Sequence, residues 1–151
     1  MVASRVREPV FSINTAADGS SNHGFLATLA ALSNAQASSV PPKLGLSVAA
    51  HAAHSAFYLE VTLRSTSGDR SPVDWDASFG SGVVSDTEWF ELQTRLRFAY
   101  QALLELAQQT SDWDQHAAAG MAAALAHAAY HLGAVRQVIK LLERLWVRVD
   151  D

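Results

Sequence analysis

An alanine-rich segment without proline extends from about His116 to Arg148 in this 151-residue chain. Alanine is the strongest helix former, so we expect one helix over the whole segment. At about 1.5 Å per residue, this helix is about 48 Å long. A helix of that length must bury its apolar face against neighbouring elements. Together with three further segments of helical spacing, it predicts an all-helical fold.

Three further segments have apolar residues at helical spacing. Asn22 and Ser47 are suitable N-caps for the first two, and Ser85 with Glu88 matches a capping box at the start of the third. With the long segment, these make four helices around one core, which predicts a four-helix bundle. The three predicted helices run from His23 to about Ala37, from Val48 to about Ser65, and from Ser85 to about Gln109.

The connections between the predicted helices bear on the topology. The third and fourth helices are joined by few residues, so we expect them to be antiparallel neighbours. About twenty residues between Ser65 and Ser85, including Pro72, join the second helix to the third. A loop of that length can run back along a helix of about 29 Å, which predicts a crossover and an up-down-down-up bundle. A simple up-and-down bundle remains the alternative.

The chain is expected to form a single domain over residues 1–151, with an N-terminal arm over residues 1–21. It contains no cysteine, which excludes a disulfide scaffold and a thiolate ligand or nucleophile. The net charge of -4 lacks the basic footprint of a nucleic-acid-binding protein. No apolar run is long enough for a membrane span, and the N-terminus lacks the apolar core of a signal peptide. We therefore expect a cytoplasmic protein with neither nucleic acid nor membrane as a partner.

His127 and His131 are four residues apart, so they project from the same face of the long helix, one turn from each other. The same stripe continues through Val135, Val138 and Leu142, which indicates that this face turns into the core. Buried imidazoles need hydrogen bonds or a shared cation. The pair therefore predicts either a metal site or structural histidines with hydrogen-bond partners.

The second predicted helix supplies the candidates for a third ligand, His51 and His54. His54 is followed by Phe57, Tyr58 and Val61 at helical spacing, as on an interior face. We therefore predict a metal site formed by His54, His127 and His131, with His51 as the alternative to His54. The histidine that does not bind metal is expected to orient a ligand or a bound water.

Two segments resemble the DinB/YfiT-like family of metalloenzymes. His127-Ala-Ala-Tyr-His131-Leu-Gly-Ala-Val-Arg-Gln137 is similar to the fourth-helix motif of that family, and Leu46-Ser47-Val48-Ala-Ala-His51-Ala-Ala-His54 is similar to its second-helix entry. The spacing in the family also favours His54 as the third ligand. The start of the first predicted helix and the Asp74-Trp75-Asp76-Ala-Ser segment resemble one branch of the family.

The resemblance implies a four-helix bundle, often dimeric, with three histidines around a divalent metal that keeps one coordination position open. Zinc and nickel are the expected metals, and imidazole ligands also suit iron and copper. The implied activity is that of a hydrolase or of a transferase that acts with a low-molecular-weight thiol. A small-molecule substrate is therefore the expected partner.

No general base can be identified from the sequence, so the catalytic residues remain unknown. Ala128 and Ala129 follow His127, so the glutamate of a His-Glu-x-x-His metalloprotease is missing. Glu60 lies on a different face of its helix from His54 and is not a candidate. Trp75 is expected to anchor the long loop on the bundle, with Asp74 and Asp76 either over the site or in solvent.

The C-terminal part of the fourth helix is apolar on more than one face. Such a surface must be covered, either by a second copy of the chain or by the N-terminal part of the same chain. We predict a homodimer. The residues concerned are Val138, Ile139, Leu141, Leu142, Leu145, Trp146, Val147 and Val149.

Overall fold

The computed structural model describes residues 24–146, and of Trp146 only the backbone. Over this part of the chain every regular element is helical. The predicted arm over residues 1–21, the predicted N-cap Asn22 and the last residues of the fourth predicted helix lie outside the described residues. The elements are α1 (Phe25–Ala30), α2 (Asn34–Ser38), α3 (Val48–Thr66), a 3₁₀ turn (Ala77–Phe79), α4 (Asp86–Gln109) and α5 (Gln115–Trp146).

The single first helix predicted from His23 to Ala37 is wrong, because the chain breaks between α1 and α2. The Ser33 hydroxyl accepts a hydrogen bond from the backbone N–H of Gln36, and the Gln36 side chain accepts one from the Ser33 N–H. This capping box starts a new helix and competes with continuation of the old one. The Leu32 carbonyl at the break accepts a hydrogen bond from Trp89 Nε1 at 2.9 Å.

The prediction of α3 is confirmed at its first residue, Val48, with Ser47 as the N-cap. The buried Ser47 hydroxyl accepts from the N–H of Ala50 and donates to the carbonyl of Gly82 at 2.6 Å. Gly82 has φ of 71°, in the left-handed region that favours glycine. The start of α3 therefore fixes the end of the long loop as well as its own first turn.

The end of α3 is also closely determined. Gly68 has φ of 88°, and its N–H donates to the carbonyl of Ser65 at 3.1 Å. The N–H of Asp69 donates to the carbonyl of Arg64, also at 3.1 Å. Together these two bonds form a Schellman motif, which terminates the helix and fixes the direction of the chain after it.

The capping box of Ser85 and Glu88 is present at the start of α4, and the predicted end at Gln109 is confirmed. The last helix, α5, begins at Gln115, one residue before the predicted start. None of the helices in the described part has both the length and the hydropathy that a membrane crossing requires.

In the described part of the chain, helix α3 packs against both α4 and α5. The expectation that α4 and α5 are antiparallel neighbours stays a prediction, and both helices line an apolar cavity of about 330 Å³. Its walls include Ala107, Ala122 and Ala124, whose side chains are too small to fill the space, and Leu59 of α3 also lines it. Side chains from α1, α3, α4 and α5 share one core, which includes Phe25, Leu29, Val48, Leu59, Leu96, Val135 and Val138.

Candidate metal centre

Three of the predicted histidines meet where the first half of α3 faces the middle of α5. The ligand atoms of His54, His127 and His131 all lie within 4.8 Å of one another. The Nε2 atoms of His54 and His127 are 3.0 Å apart. Two nitrogens that each lie about 2.1 Å from a shared ion, at angles of about 90 to 110°, are about 3.0 to 3.4 Å apart. The donor set therefore fits a divalent metal in its chemistry, and the pair of His54 and His127 also fits in its spacing.

His54 is held on three sides. Its ring stacks on Phe79 with the centroids 4.1 Å apart and an interplanar angle of 2°, and it meets Trp75 edge-on at 6.2 Å. Its Nδ1 lies 2.5 Å from the Ser78 hydroxyl. That hydroxyl donates to the Trp75 carbonyl, so its oxygen must accept from Nδ1–H of His54. This network assigns the lone pair to Nε2, which faces His127.

His51 lies next to His131, in a position from which it can orient the His131 ring. The Nδ1 atoms of the two rings lie 2.9 Å apart, and both side chains are buried. If His131 carries its proton on Nδ1 and donates it to His51, its Nε2 is free to bind a metal. The structure thus brings His54 into the cluster and places His51, the alternative from the sequence, one hydrogen bond away from it.

His127 is the most exposed member of the cluster. Its ring stacks on Tyr58, with the centroids 3.7 Å apart and an interplanar angle of 13°. Tyr58 in turn meets Trp75 at 5.7 Å, so aromatic rings cover this side of the cluster. Tyr130 lies edge-on to His131 at 5.0 Å with most of its own surface in solvent.

The environment of the cluster favours neutral imidazoles. Burial, together with the neighbouring histidines, lowers the pKa of His131 from 6.5 to about 3 and that of His127 to about 4. Burial also lowers the pKa of His54 and of His51. Only the neutral ring has a nitrogen lone pair to offer a metal. At pH 7 the cluster is therefore ready to bind an ion without first losing protons.

These pKa shifts predict acid sensitivity of the metal-free protein. The folded histidines have pKa values below 6.5, whereas in the unfolded chain they titrate near 6.5. Between about pH 4 and 6.5 the unfolded state therefore binds more protons, and the free energy of unfolding falls as the pH is lowered through this range. In chelator, the Tm should fall steadily between pH 7 and pH 5, above the range in which most carboxylates titrate. A Tm that stays constant or rises over that interval would contradict the assignment.

The long loop supplies contacts that the sequence analysis missed. Asp74 caps the 3₁₀ turn by accepting from the N–H of Ala77, and this turn carries Ser78 and Phe79 to His54. Trp75 anchors the loop, as predicted, through an edge-on contact with Phe57 at 5.7 Å. The segment from Asp74 to Ser78, which resembles one branch of the family, was the one indication in the sequence that this loop matters. No spacing rule relates Ser78 to His54.

Ser78→Ala is expected to weaken zinc binding by about 10- to 100-fold, because the His54 ring loses the acceptor that fixes its tautomer. The affinity is measured by competition with a chromophoric chelator. Ser81→Ala is the matched control, since Ser81 lies in the same loop and its hydroxyl donates to the carbonyl of Val83. Equal affinities of Ser78→Ala and wild type would show that Ser78 does not orient the ligand.

No carboxylate joins the cluster among the residues that the structure describes. Glu60 forms an ion pair with Arg95 at 2.6 Å, which agrees with its rejection as a general base. Asp74 is committed to the 3₁₀ turn, and Asp76 is exposed. His116 is exposed in the first turn of α5, and His23 lies outside the described residues.

The sequence profile of the DinB superfamily matches residues 21–139, which include all three elements of the site: α3, the long loop and α5 up to His131 and beyond. The chain belongs to the DinB superfamily. The resemblance inferred from the two histidine segments is therefore confirmed. Comparisons of this DinB chain with curated proteins and with solved structures gave no significant match.

Proposed function

We propose that this DinB protein binds a divalent metal ion through His54, His127 and His131 and is a metal-dependent enzyme, either a hydrolase or a small-thiol-dependent transferase. The observation that carries the proposal is the meeting of three neutral imidazoles within 4.8 Å, two of them oriented by Ser78 and His51. Three ligands leave a coordination position for a substrate, as in catalytic rather than structural sites. A metal there would supply Lewis acidity, polarising a carbonyl or lowering the pKa of a water or a thiol.

The protein groups around the cluster have distinct tasks in this proposal. Ser78 and His51 hold the His54 and His131 rings in the tautomers that bind metal. Tyr58 and Trp75 exclude water from one side of the cluster and provide apolar surface for a substrate. We propose zinc or nickel as the metal, because a set of neutral imidazoles suits both, with iron or copper as alternatives.

We also propose the up-down-down-up bundle that the long loop predicts, with α1 and α2 together in the place of the first helix. Two contacts support parallel α3 and α4: Ser47, the N-cap of α3, lies beside Gly82, four residues before α4, and Glu60 pairs with Arg95 further along both helices. The pairs His51 with His131 and His54 with His127 run in opposite directions along α3 and α5, which supports an antiparallel arrangement of these two helices.

A homodimer remains part of the proposal. Val138 and Leu142 are buried in the core of the single chain, so they do not require a partner. Leu145 on α5 and Leu104 and Leu125 at the rim of the cavity between α4 and α5 are exposed, and this apolar surface supports association. Light scattering coupled to size-exclusion chromatography would give twice the chain mass if the proposal is right, and the mass of a single chain if it is wrong.

A metal-binding protein without enzymatic activity is the second candidate, favoured by the lack of a carboxylate beside the histidines in the described residues. A screen with zinc- and nickel-loaded protein separates the two. The substrates are activated esters and amides for hydrolysis, and chlorodinitrobenzene with cysteine or glutathione for transfer. Turnover that is lost in His127→Ala supports the enzyme. Stoichiometric metal without turnover in either reaction supports the second candidate.

A further inference from the structure

A cavity of about 530 Å³ lies beside the metal centre, between the second half of α3 and the first half of α5. Tyr58 and Trp75 form the end nearest the histidines, since the same two rings contact His127 and His54. From there the cavity extends along α3 to Ser65 and to Arg70, just after the helix. Thr62 and Thr66 of α3 line one side of it, and Asp114, Ala117 and Gly120 at the start of α5 line the other.

Arg70 carries a positive charge that no carboxylate of the described residues neutralises by direct contact. Its Nη1 donates to the carbonyl and the hydroxyl of Ser65 and to the carbonyl of Asp69, at 2.6, 3.2 and 3.2 Å. The Asp69 carboxylate forms its ion pair with Arg64 at 3.8 Å. Hydrogen bonds from Ser71 lower the pKa of Asp69, and the nearby charge of Arg70 also lowers it. The Nε and Nη2 groups of Arg70 therefore keep N–H donors for which the described residues provide no acceptor.

The other polar groups of the cavity are largely committed to the protein. The hydroxyls of Thr62 and Thr66 donate to backbone carbonyls of α3. The carboxylate of Asp114 accepts from the N–H of Ala117 at 2.7 Å, and the N-terminus of α5 partly offsets its charge. Alanine, valine and aromatic side chains form most of the remaining wall. The lining thus suits a ligand with an apolar body and one anionic end.

The length of α3 sets the length of such a ligand. Ser65, which Arg70 contacts, lies about 10 Å along the helix axis from Tyr58 and about 16 Å from His54, at about 1.5 Å per residue. An extended peptide covers this span with roughly three to five residues. The Schellman motif before Arg70 fixes the far end of the span, because it holds Gly68 and Asp69 against the last turn of α3.

We propose that this cavity binds an elongated monocarboxylate, with the carboxylate at Arg70 and the body of the ligand extending about 10 Å to Tyr58 and Trp75. Its reacting group passes between these two rings to reach the metal centre, about 16 Å from Arg70. The inference rests on the proposed metal site and adds the substrate class. Arg70 also caps the C-terminus of α3, so its substitution alone could act through the helix. The test must therefore compare ligands that differ only in charge.

The probes are ω-mercapto acids of three, eight and eleven carbons and the matching ω-mercapto alcohols, titrated into cobalt-loaded protein. Thiolate binding to cobalt is followed by its near-ultraviolet absorption band. The eleven-carbon acid should bind about tenfold more tightly than its alcohol, because a charge-assisted hydrogen bond forms at Arg70. In Arg70→Gln the ratio of the affinities for the eleven-carbon acid and its alcohol should fall to about one. The three-carbon acid is too short to reach Arg70 and should bind equally to wild type and Arg70→Gln. A capping role alone would weaken acid and alcohol alike.

A second variant tests the cavity without touching the charge. Gly120 lines the cavity, and a Cβ at this position meets no atom within 4 Å. The side chain of Gly120→Trp should therefore fill the cavity and weaken binding of the eleven-carbon acid by about tenfold or more. The three-carbon acid should be unaffected. Gly133→Trp is the matched control, since Gly133 is also a glycine of α5 with open space beside it but lies outside the cavity.

The outcomes separate the two proposals. If the protein takes up no cobalt, the metal site is wrong and the extension falls with it. If cobalt binds but no thiolate band forms, the metal site stands and the cavity assignment is overturned. If the band forms but acid and alcohol bind equally, or if the preference survives in Arg70→Gln, the metal site stands and the cavity assignment is overturned. The cavity assignment is also overturned if Gly120→Trp and Gly133→Trp behave alike toward the eleven-carbon acid.

Discussion

His127→Ala is expected to lower the affinity for zinc by more than about 100-fold, an effect larger than that of losing a residue that only orients a ligand. The Nε2 of His127 lies 3.0 Å from that of His54, and its removal leaves two imidazoles, too few for a tight site. His127 is only partly buried and alanine favours a helix, so the fold should survive the substitution. The affinity is measured by competition with a chromophoric chelator at pH 7.

The matched control for this substitution is His116→Ala, which removes an exposed histidine from the same helix. It should leave the zinc affinity within about twofold of wild type. The Tm in chelator should be similar for both variants and the wild type, which excludes unfolding as the cause. An affinity of His127→Ala that stays as close to wild type as that of His116→Ala would mean that zinc binds somewhere other than the cluster.

Phe25→Ala is expected to reduce the free energy of unfolding by about 3 to 5 kcal/mol. Phe25 is fully buried, and α1 has only six residues and no side-chain hydrogen bond at its N-cap, so packing rather than helix propensity holds it in place. Denaturant unfolding of the metal-free protein measures the change. Phe90→Ala, at a position on α4 that is 71% exposed, should cost less than about 0.5 kcal/mol. Similar effects of the two substitutions would show that α1 is not part of the core.

The long helices were predictable because local signals mark their ends. Ser47 and Ser85 cap α3 and α4 through hydrogen bonds within three residues of themselves, and such bonds depend on the local sequence. The pair His127 and His131 was equally predictable, because one helix turn brings both rings to one side. The inward stripe and the family spacing together selected His54 over His51.

Contacts between distant segments could not be predicted in the same way. The hydroxyl of Ser78 reaches His54 only because the long loop folds back onto α3, where Ser47 and Gly82 tie it down. The break before α2 depends on a capping box at Ser33 and also on Trp89, which lies 57 positions further along the chain and satisfies the exposed carbonyl of Leu32. The capping box follows the local Ser-x-x-Gln spacing and was overlooked in the sequence, whereas the contacts of Ser78 with His54 and of Trp89 with Leu32 follow no spacing rule.

The cavity between α4 and α5 is likewise a tertiary effect. A short connection favours neighbouring helices, but both helices pack on α3, and the alanines between them leave a cavity of about 330 Å³. Arg70 could not be identified as a candidate binding residue from the sequence, because it follows the end of a helix in a polar segment. Its significance comes from the cavity that it lines with Tyr58 and Trp75.

The metal content of the wild-type protein tests the central claim most directly. Protein purified at neutral pH without chelators is subjected to elemental analysis, with zinc, nickel, iron and copper measured per chain. Three neutral imidazoles within 4.8 Å of one another predict about one divalent transition-metal ion per chain. Folded protein with less than about a tenth of an equivalent, which takes up none when zinc is added and the excess removed, would contradict a metal centre at His54, His127 and His131.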